Sequence, residues 1–315
     1  LITTNTSGIS VDLMIEGRSN DFCEHFCGTH FFNPPRYLQL LEIIPTKKTN
    51  PEVIRFLEDY SSRFLGKLPV LSKNTPAFIA NRIGTYSIMD LFNNVHEFGL
   101  TVPEIDKLTG PIIGRAKSAT FRTADIVGLD TLAHVSTNIK ETTKDESNNT
   151  FSIPDYLGVM IENGWLGQKA KQGFFKKVVV DGKKKFLSLN FKTLEYEESP
   201  KPKFGIFEKT KEVEKVSARL PILLSDKGKV GDFYKATFYS LFQFASLRIP
   251  EISDDIYKVD DAMNAGFGWK LGPFESWDAL GVKETISKME EAGFKPSDWV
   301  YEMVSNGIDS FYKIS

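Results

Sequence analysis

The feature that most constrains this chain is a pattern written twice. Phe121, Asp125 and Gly128 in FRTADIVGL recur as Phe274, Asp278 and Gly281 in FESWDALGV, 153 residues further on (Phe274 against Phe121). Both copies obey F-x3-D-x2-G-[LV], and each follows an apolar-Asp step, Ile105-Asp106 or Val259-Asp260. Such spacing is what duplication of one helical unit leaves behind, the apolar faces packing on each other. The phenylalanines then belong to the core, and the aspartates are expected to cap helices.

Around this repeat the chain divides into stretches of different period. Residues 1–45 read as three strands separated by turns, and nearly everything from 50 to 140 reads as helix. Asn50 can cap a helix with Pro51 at its first position, and Val53, Ile54, Leu57, Tyr60, Phe64 and Leu65 keep helical spacing as far as Gly66. A short LPVLS strand or connector follows, and a second helix is expected to open at Thr75-Pro76, to hold Asn81 about one turn inside and to stop at Gly99. Asp181-Gly182 between two β-prone runs predicts a hairpin. The charged, Pro-containing run that follows reads as a linker. The expected boundaries are 1–46, 47–195 with the hairpin, a linker at 196–216, and 217–315.

Composition narrows the function classes. A net charge of −2 with a pI near 6.2, and Lys and Arg interleaved with Asp and Glu, leave no electrostatic footprint for nucleic acid. No apolar run approaches the roughly 20 residues that a spanning helix needs, and no signal-peptide order opens the chain. A cytoplasmic protein is expected, and two cysteines, Cys23 and Cys27, suit a reduced compartment. The start at LITTNTSGIS, without Met, reads as the middle of a fold and therefore as a cut fragment.

The polar residues of GTHFFNPPRYLQLLEIIP carry the chemistry. On a strand, Glu42 shares a face with Leu38, Leu40 and Ile44, so it is expected to be buried. A buried carboxylate is costly without a cation or a donor. His30 lies 12 positions earlier, and a reversal at Pro34-Pro35 would set the two strands side by side. A carboxylate holding one imidazole nitrogen fixes the tautomer and leaves the other free to take a proton, as a general base requires. The plain alternative keeps Glu42 at a wet strand end and His30 as a satisfied core histidine.

NTSGIS at 5–10, GTHFFNPP at 28–35, LLEIIP at 40–45 and FIANRIG at 78–84 together resemble the signature of the 3-hydroxyacyl-CoA dehydrogenases. Downstream, TGPIIGRAKSATFRTADIVGLDTLAHV, WLGQKAKQGFFKK and DAMNAGFGWKLGPFESWDALGV are similar to the long fused members, which also carry an enoyl-CoA hydratase unit. The resemblance implies a mainly α fold: the C-terminal strands of a Rossmann-like NAD-binding domain, then a duplicated helical domain like the C-terminal domain of 6-phosphogluconate dehydrogenase, with a small β-hairpin. It implies NAD-dependent oxidation of a 3-hydroxyacyl-CoA to the 3-ketoacyl-CoA in fatty acid β-oxidation, at a site between the two domains. His30 would be the base and Glu42 its partner, Ser7 would meet substrate and nicotinamide, Asn81 the substrate, and Asn33 the nicotinamide. The partners implied are acyl-CoA, a second copy of the chain, and in the parent polypeptide a fused hydratase.

One departure stands against that pattern. A Rossmann domain holds the NAD pyrophosphate on a Gly-rich turn after its first strand, and this sequence has none, since GFGWKLG at 266–272 has the wrong spacing and follows a helical pattern. The chain is therefore expected to lack most of the NAD-binding domain and to be inactive alone. No metal is expected. Cys23, His25, Cys27 and His30 lie close together, but Cys23 and Cys27 suit the buried face of a short helix that also takes Phe26, and no second ligand pair follows. His96 and His134 read as ordinary helix residues. The rival from another class is a non-catalytic helical scaffold or dimerisation module, in which Glu42 would tolerate exchange for Leu or Gln.

Overall fold

The computed structural model describes residues 1–180, 182–198 and 200–313. Two compact units emerge, Leu1–Gly84 with Tyr239–Ser315, and Thr85–Phe238. This division by compactness runs differently from the boundaries expected at 46, 195 and 216, because the segment after Tyr239 returns to the unit that the first strands open.

The first segment holds β1 (Ile2–Thr4), α1 (Asn20–Glu24), β2 (Phe26–Phe31), β3 (Leu40–Pro45), α2 (Pro51–Arg63), β4 (Leu68–Leu71) and the start of α3 (Ala80–Phe98). Four strands form one sheet in the order β1-β2-β3-β4, with β1 parallel to β2, β2 antiparallel to β3, and β3 parallel to β4. β2 and β3 are buried on both faces, which is why their sequences run apolar instead of alternating. On one face Phe26 and Ile44 pack with Val11, Ile15, Cys23 and Phe78; on the other Cys27, Leu41 and Ile43 pack on Val53 and Leu57 of α2.

Asn50 caps α2 as its sequence implies, its Oδ1 accepting from the Glu52 amide at 2.9 Å. Two expectations change. The helix at Asn20 ends at Glu24, so Phe26 and Cys27 sit on β2, and the two cysteines fall on opposite faces of the sheet. The helix expected from Thr75-Pro76 begins only at Ala80, because Ala77 (φ 61) and Phe78 (φ 54) adopt the left-handed conformation that bulky residues avoid.

The second unit holds α4 (Val102–Leu108), α5 (Phe121–Val127), α6 (Leu129–Thr142), α7 (Asp155–Glu162), β5 (Phe175–Val180), β6 (Lys183–Leu189), β7 (Tyr196–Glu197), α8 (Ile206–Thr210), α9 (Val216–Leu224) and much of α10 (Lys229–Leu247). β5 and β6 pair antiparallel up to Val180 opposite Lys183. Asp181, expected in the turn between them, lies outside the described residues. The stretch expected as a linker carries β7 and α8. The first unit is completed by α11 (Ile256–Phe267), α12 (Pro273–Leu280), α13 (Val282–Glu291) and α14 (Asp298–Ser305).

Each unit contains one copy of the sequence repeat, and the two copies share a pair of matching amide bonds to the aspartate of the apolar-Asp step. Asp106 accepts from the amides of Thr120, Phe121 and Arg122 at 3.1, 2.7 and 3.1 Å, and Asp260 from those of Phe274 and Glu275 at 3.0 and 2.9 Å. The helix caps are thus the aspartates of the preceding apolar-Asp step. Asp125 and Asp278, expected as caps, instead bind a later segment: Asp125 holds the amides of Phe174 and Phe175, and Asp278 those of Phe311 and Tyr312. The repeat therefore has a third element, GFFK at 173–176 answering SFYK at 310–313. Its leading aromatic packs on the repeat phenylalanine in both copies, with ring centroids 4.5 Å apart for Phe121 and Phe174 and 5.0 Å for Phe274 and Phe311.

Candidate active site

His30 and Glu42 stand directly opposite each other on β2 and β3, His30 only 4% exposed and Glu42 fully buried. His30 Nδ1 lies 2.6 Å from Glu42 Oε2. The other carboxylate oxygen, Oε1, accepts from the backbone amides of Ile79 and Ala80 at 3.0 and 2.9 Å. Three hydrogen bonds thus satisfy the buried carboxylate, two of them at the opening of α3, where the helix dipole also favours negative charge. With Nδ1 donating to Glu42, Nε2 is the nitrogen left to accept a proton, and it has no hydrogen-bond partner among the described residues.

The left-handed pair Ala77 and Phe78 precedes the two amides immediately. The turn they form, closed by the Phe78 amide on the Thr75 carbonyl at 3.0 Å, delays the helix and presents both N–H groups to one oxygen. Strained backbone of this kind persists where surrounding contacts over-determine it. Here Phe78 is fully buried and its ring lies 5.5 Å from that of His30, with Phe32 on the histidine at 4.6 Å.

Asn81 is half-buried on the first turn of α3, beside the amides that hold Glu42, and its side chain has no hydrogen-bond partner among the described residues. Ser7 and Asn33 are exposed on the segments that leave the carboxyl ends of β1 and β2. The structure brings His30 and Glu42 into contact; for Ser7, Asn33 and Asn81 it gives a place and a free side chain. Sequence reading missed Asn5, whose Oδ1 accepts the Phe31 amide at 2.9 Å and ties the loop after β1 to the strand end beside His30.

It missed two further supports. Arg82, fully buried one residue after Asn81, meets Glu251 at 3.3 Å, and Glu251 also binds the buried Arg248 at 2.6 Å. Phe267, from the GFGWKLG stretch, packs 6.1 Å from Phe32 and against the bare α-carbon of Gly84. An arginine in an apolar helix start was the available signal for the first; nothing local signalled the second. Cys23 and Cys27 are buried and unbridged, and burial pushes the Cys27 thiol up to about 11. Among the described residues no group of His, Cys, Asp and Glu is arranged to hold a metal ion.

A buried histidine–carboxylate pair braced by the start of a helix has the geometry of a general base with its orienting acid. Residues 1–75 match the model of the 3-hydroxyacyl-CoA dehydrogenase NAD binding domain, and residues 78–177 that of the 3-hydroxyacyl-CoA dehydrogenase C-terminal domain. These two segments of the chain are thus similar to the two domains of 3-hydroxyacyl-CoA dehydrogenases. The chain is 46% identical over 313 residues to a probable 3-hydroxyacyl-CoA dehydrogenase of Bacillus subtilis, covering 99% of this chain and 39% of that protein. A putative fatty acid oxidation complex trifunctional enzyme of Rickettsia felis is 28% identical over 277 residues, 87% of this chain and 37% of that protein. Among solved structures, 3-hydroxybutyryl-CoA dehydrogenase from Escherichia coli shares the fold, with a TM-score of 0.69 and 18% identity over 98% of this chain and 76% of that one. The chain thus spans about two fifths of the length of these two curated relatives.

The match of residues 1–75 corrects the expectation of a chain lacking most of the NAD-binding domain. The matched residues include β2 and β3, which carry the histidine and its partner. Among the described residues no helix is long and apolar enough to cross a membrane.

Proposed function

We propose that this chain carries the catalytic base of an NAD-dependent 3-hydroxyacyl-CoA dehydrogenase acting in fatty acid β-oxidation. The observation that carries this reading is the buried His30–Glu42 contact with both carboxylate oxygens occupied. Glu42 orients the ring and balances the imidazolium that forms when Nε2 takes the proton of the substrate's 3-hydroxyl. Asn81 supplies an amide donor for the oxygen that becomes a carbonyl, next to a helix N-terminus. Phe32 and Phe78 exclude water from the imidazole and leave it one polar partner.

NAD, when bound, supplies the hydride acceptor. Ser7 and Asn33 would hold its nicotinamide end, and their exposure beyond the carboxyl ends of the adjacent parallel strands β1 and β2 fits the crevice where such sheets take ligands. The substrate is an acyl-CoA. Pairing into a homodimer, a hydratase unit in a longer parent and a cytoplasmic setting belong to the same reading, as does the division of the chain into 1–46, 47–195, 196–216 and 217–315.

The test is acetoacetyl-CoA-dependent NADH oxidation by the full polypeptide, wild type beside His30→Gln, with circular dichroism to show that both are folded. Loss of turnover in a folded variant supports the assignment. A folded wild type that oxidises no NADH with this or longer 3-ketoacyl thioesters would leave the scaffold reading in its place.

A further inference from the structure

In the unit Thr85–Phe238 a cavity of about 440 Å³ is lined by Arg122, Gln168, Lys171, Phe175, Lys177 and Phe186. Its volume lies within the range of about 300–1,000 Å³ that small-molecule sites occupy. Asp125 also lines it, but its two oxygens are taken by the Phe174 and Phe175 amides. Arg122, Lys171 and Lys177 line this one cavity, and among the described residues none of them forms an ion pair within 4 Å, although the Asp125 carboxylate acts on Arg122 through its charge. Lysines close by in sequence do pair where a carboxylate is present, Lys169 with Asp130 at 2.7 Å and Lys185 with Glu198 at 2.5 Å.

Aromatic surface is the second component. Phe186 is 57% exposed at the cavity, and the Arg122 guanidinium lies over its ring, 5.8 Å from the centroid. A large aromatic ring left in water beside three cations, two of them lysines without an ion pair among the described residues, matches a ligand with a flat ring and several negative charges. Lys171 is held with φ 59, a conformation a lysine does not adopt by preference, in the short turn closed by its amide on the Gln168 carbonyl.

We infer that this cavity binds an adenosine phosphate, with the base against Phe186 and Phe175 and the phosphates between Arg122, Lys171 and Lys177. Guanidinium and ammonium groups give charge-assisted bonds to phosphate oxygens, and ring stacking accepts a purine face. The inference stands apart from the dehydrogenase reading, since none of these residues belongs to the His30 site.

The experiment is calorimetric titration of the protein with ADP, and with pyrophosphate as the ring-free control. Wild type is compared with Arg122→Ala/Lys177→Ala and with Phe186→Ala, and circular dichroism checks each fold. The double variant is expected to weaken both ligands at least about tenfold, the loss of roughly one charge-assisted phosphate contact. Phe186→Ala is expected to weaken ADP roughly fivefold and to leave pyrophosphate unchanged. No binding of ADP to wild type, or binding untouched by the double variant, overturns the site. Equal binding of both ligands with Phe186→Ala neutral overturns the nucleotide assignment.

Discussion

Tyr312 donates its hydroxyl to Asp260, 2.7 Å from Oδ2, whereas the matching aromatic of the other repeat, Phe175, has no hydroxyl to give. Asp106, the counterpart of Asp260, takes the Thr120 amide at 3.1 Å as its third donor instead, where the other copy has Pro273 and no N–H. Each buried carboxylate thus reaches three bonds by a different route. Tyr312→Phe should destabilise the chain by about 1.5–3 kcal/mol, the range for a hydrogen bond to a charged group. Urea unfolding followed by circular dichroism measures it, and an unchanged midpoint would show the bond to be dispensable.

These aspartates also set a pH dependence. Burial pushes the Asp106 carboxyl up from 3.8 to about 7 against the pull of its amide bonds, Asp125 up to about 6, and Asp260 up to about 7. A carboxyl that holds its proton more tightly when folded contributes stability at low pH and loses it as pH rises through the folded value. The contribution of these groups should therefore fall between about pH 4 and pH 7. Urea midpoints across that window should decline less steeply for Asp106→Asn than for wild type; parallel curves would refute the linkage.

Glu42→Gln keeps a group of the same size and an oxygen for the Ile79 and Ala80 amides, but offers His30 no charge. In the dehydrogenase reading kcat should drop by about 10³-fold or more, by analogy with other histidines deprived of their orienting carboxylate. KM should change little and the pH profile should move, which a merely structural role would not produce. A folded Glu42→Gln protein with unaltered turnover would remove Glu42 from the mechanism.

Gly84 is where a side chain has no room. A β-carbon there would lie 2.2 Å from Cζ of Phe267. Gly84→Ala should cost about 1–3 kcal/mol, as overpacking usually does, and Gly84→Ala/Phe267→Leu should recover part of it. Thermal unfolding of the four proteins of this cycle, including Phe267→Leu alone, gives the coupling directly.

Much of the fold is legible in local sequence because local physics decides it. Asn50-Pro51 declares a helix start, the apolar LLEII declares a strand with Glu42 on a buried face, and Pro34-Pro35 marks the reversal that sets His30 against Glu42. Long-range partners are not legible in this way. Nothing in the sequence near Asp125 says that its carboxylate belongs to Phe174 and Phe175, and an Asp beside a helix reads as a cap until the distant amides are seen. Likewise Thr75-Pro76 is a sound helix opening by composition. The helix waits until Ala80 because Glu42, far away in sequence, claims the two amides that the turn presents. A Gly-rich turn is one motif of a larger domain, so residues 1–75 match that domain without it.

The grip on Glu42 is made of main-chain atoms, which every residue except proline carries. Exchanging the side chains of Ile79 and Ala80 would leave those donors in place, so a conventional alanine scan would pass over the bracing of the histidine's partner without registering it. The vulnerable points are those where chain geometry itself is at stake: an imino acid at 79 or 80, which deletes a donor, or a β-branched residue at 77 or 78, which resists the left-handed turn.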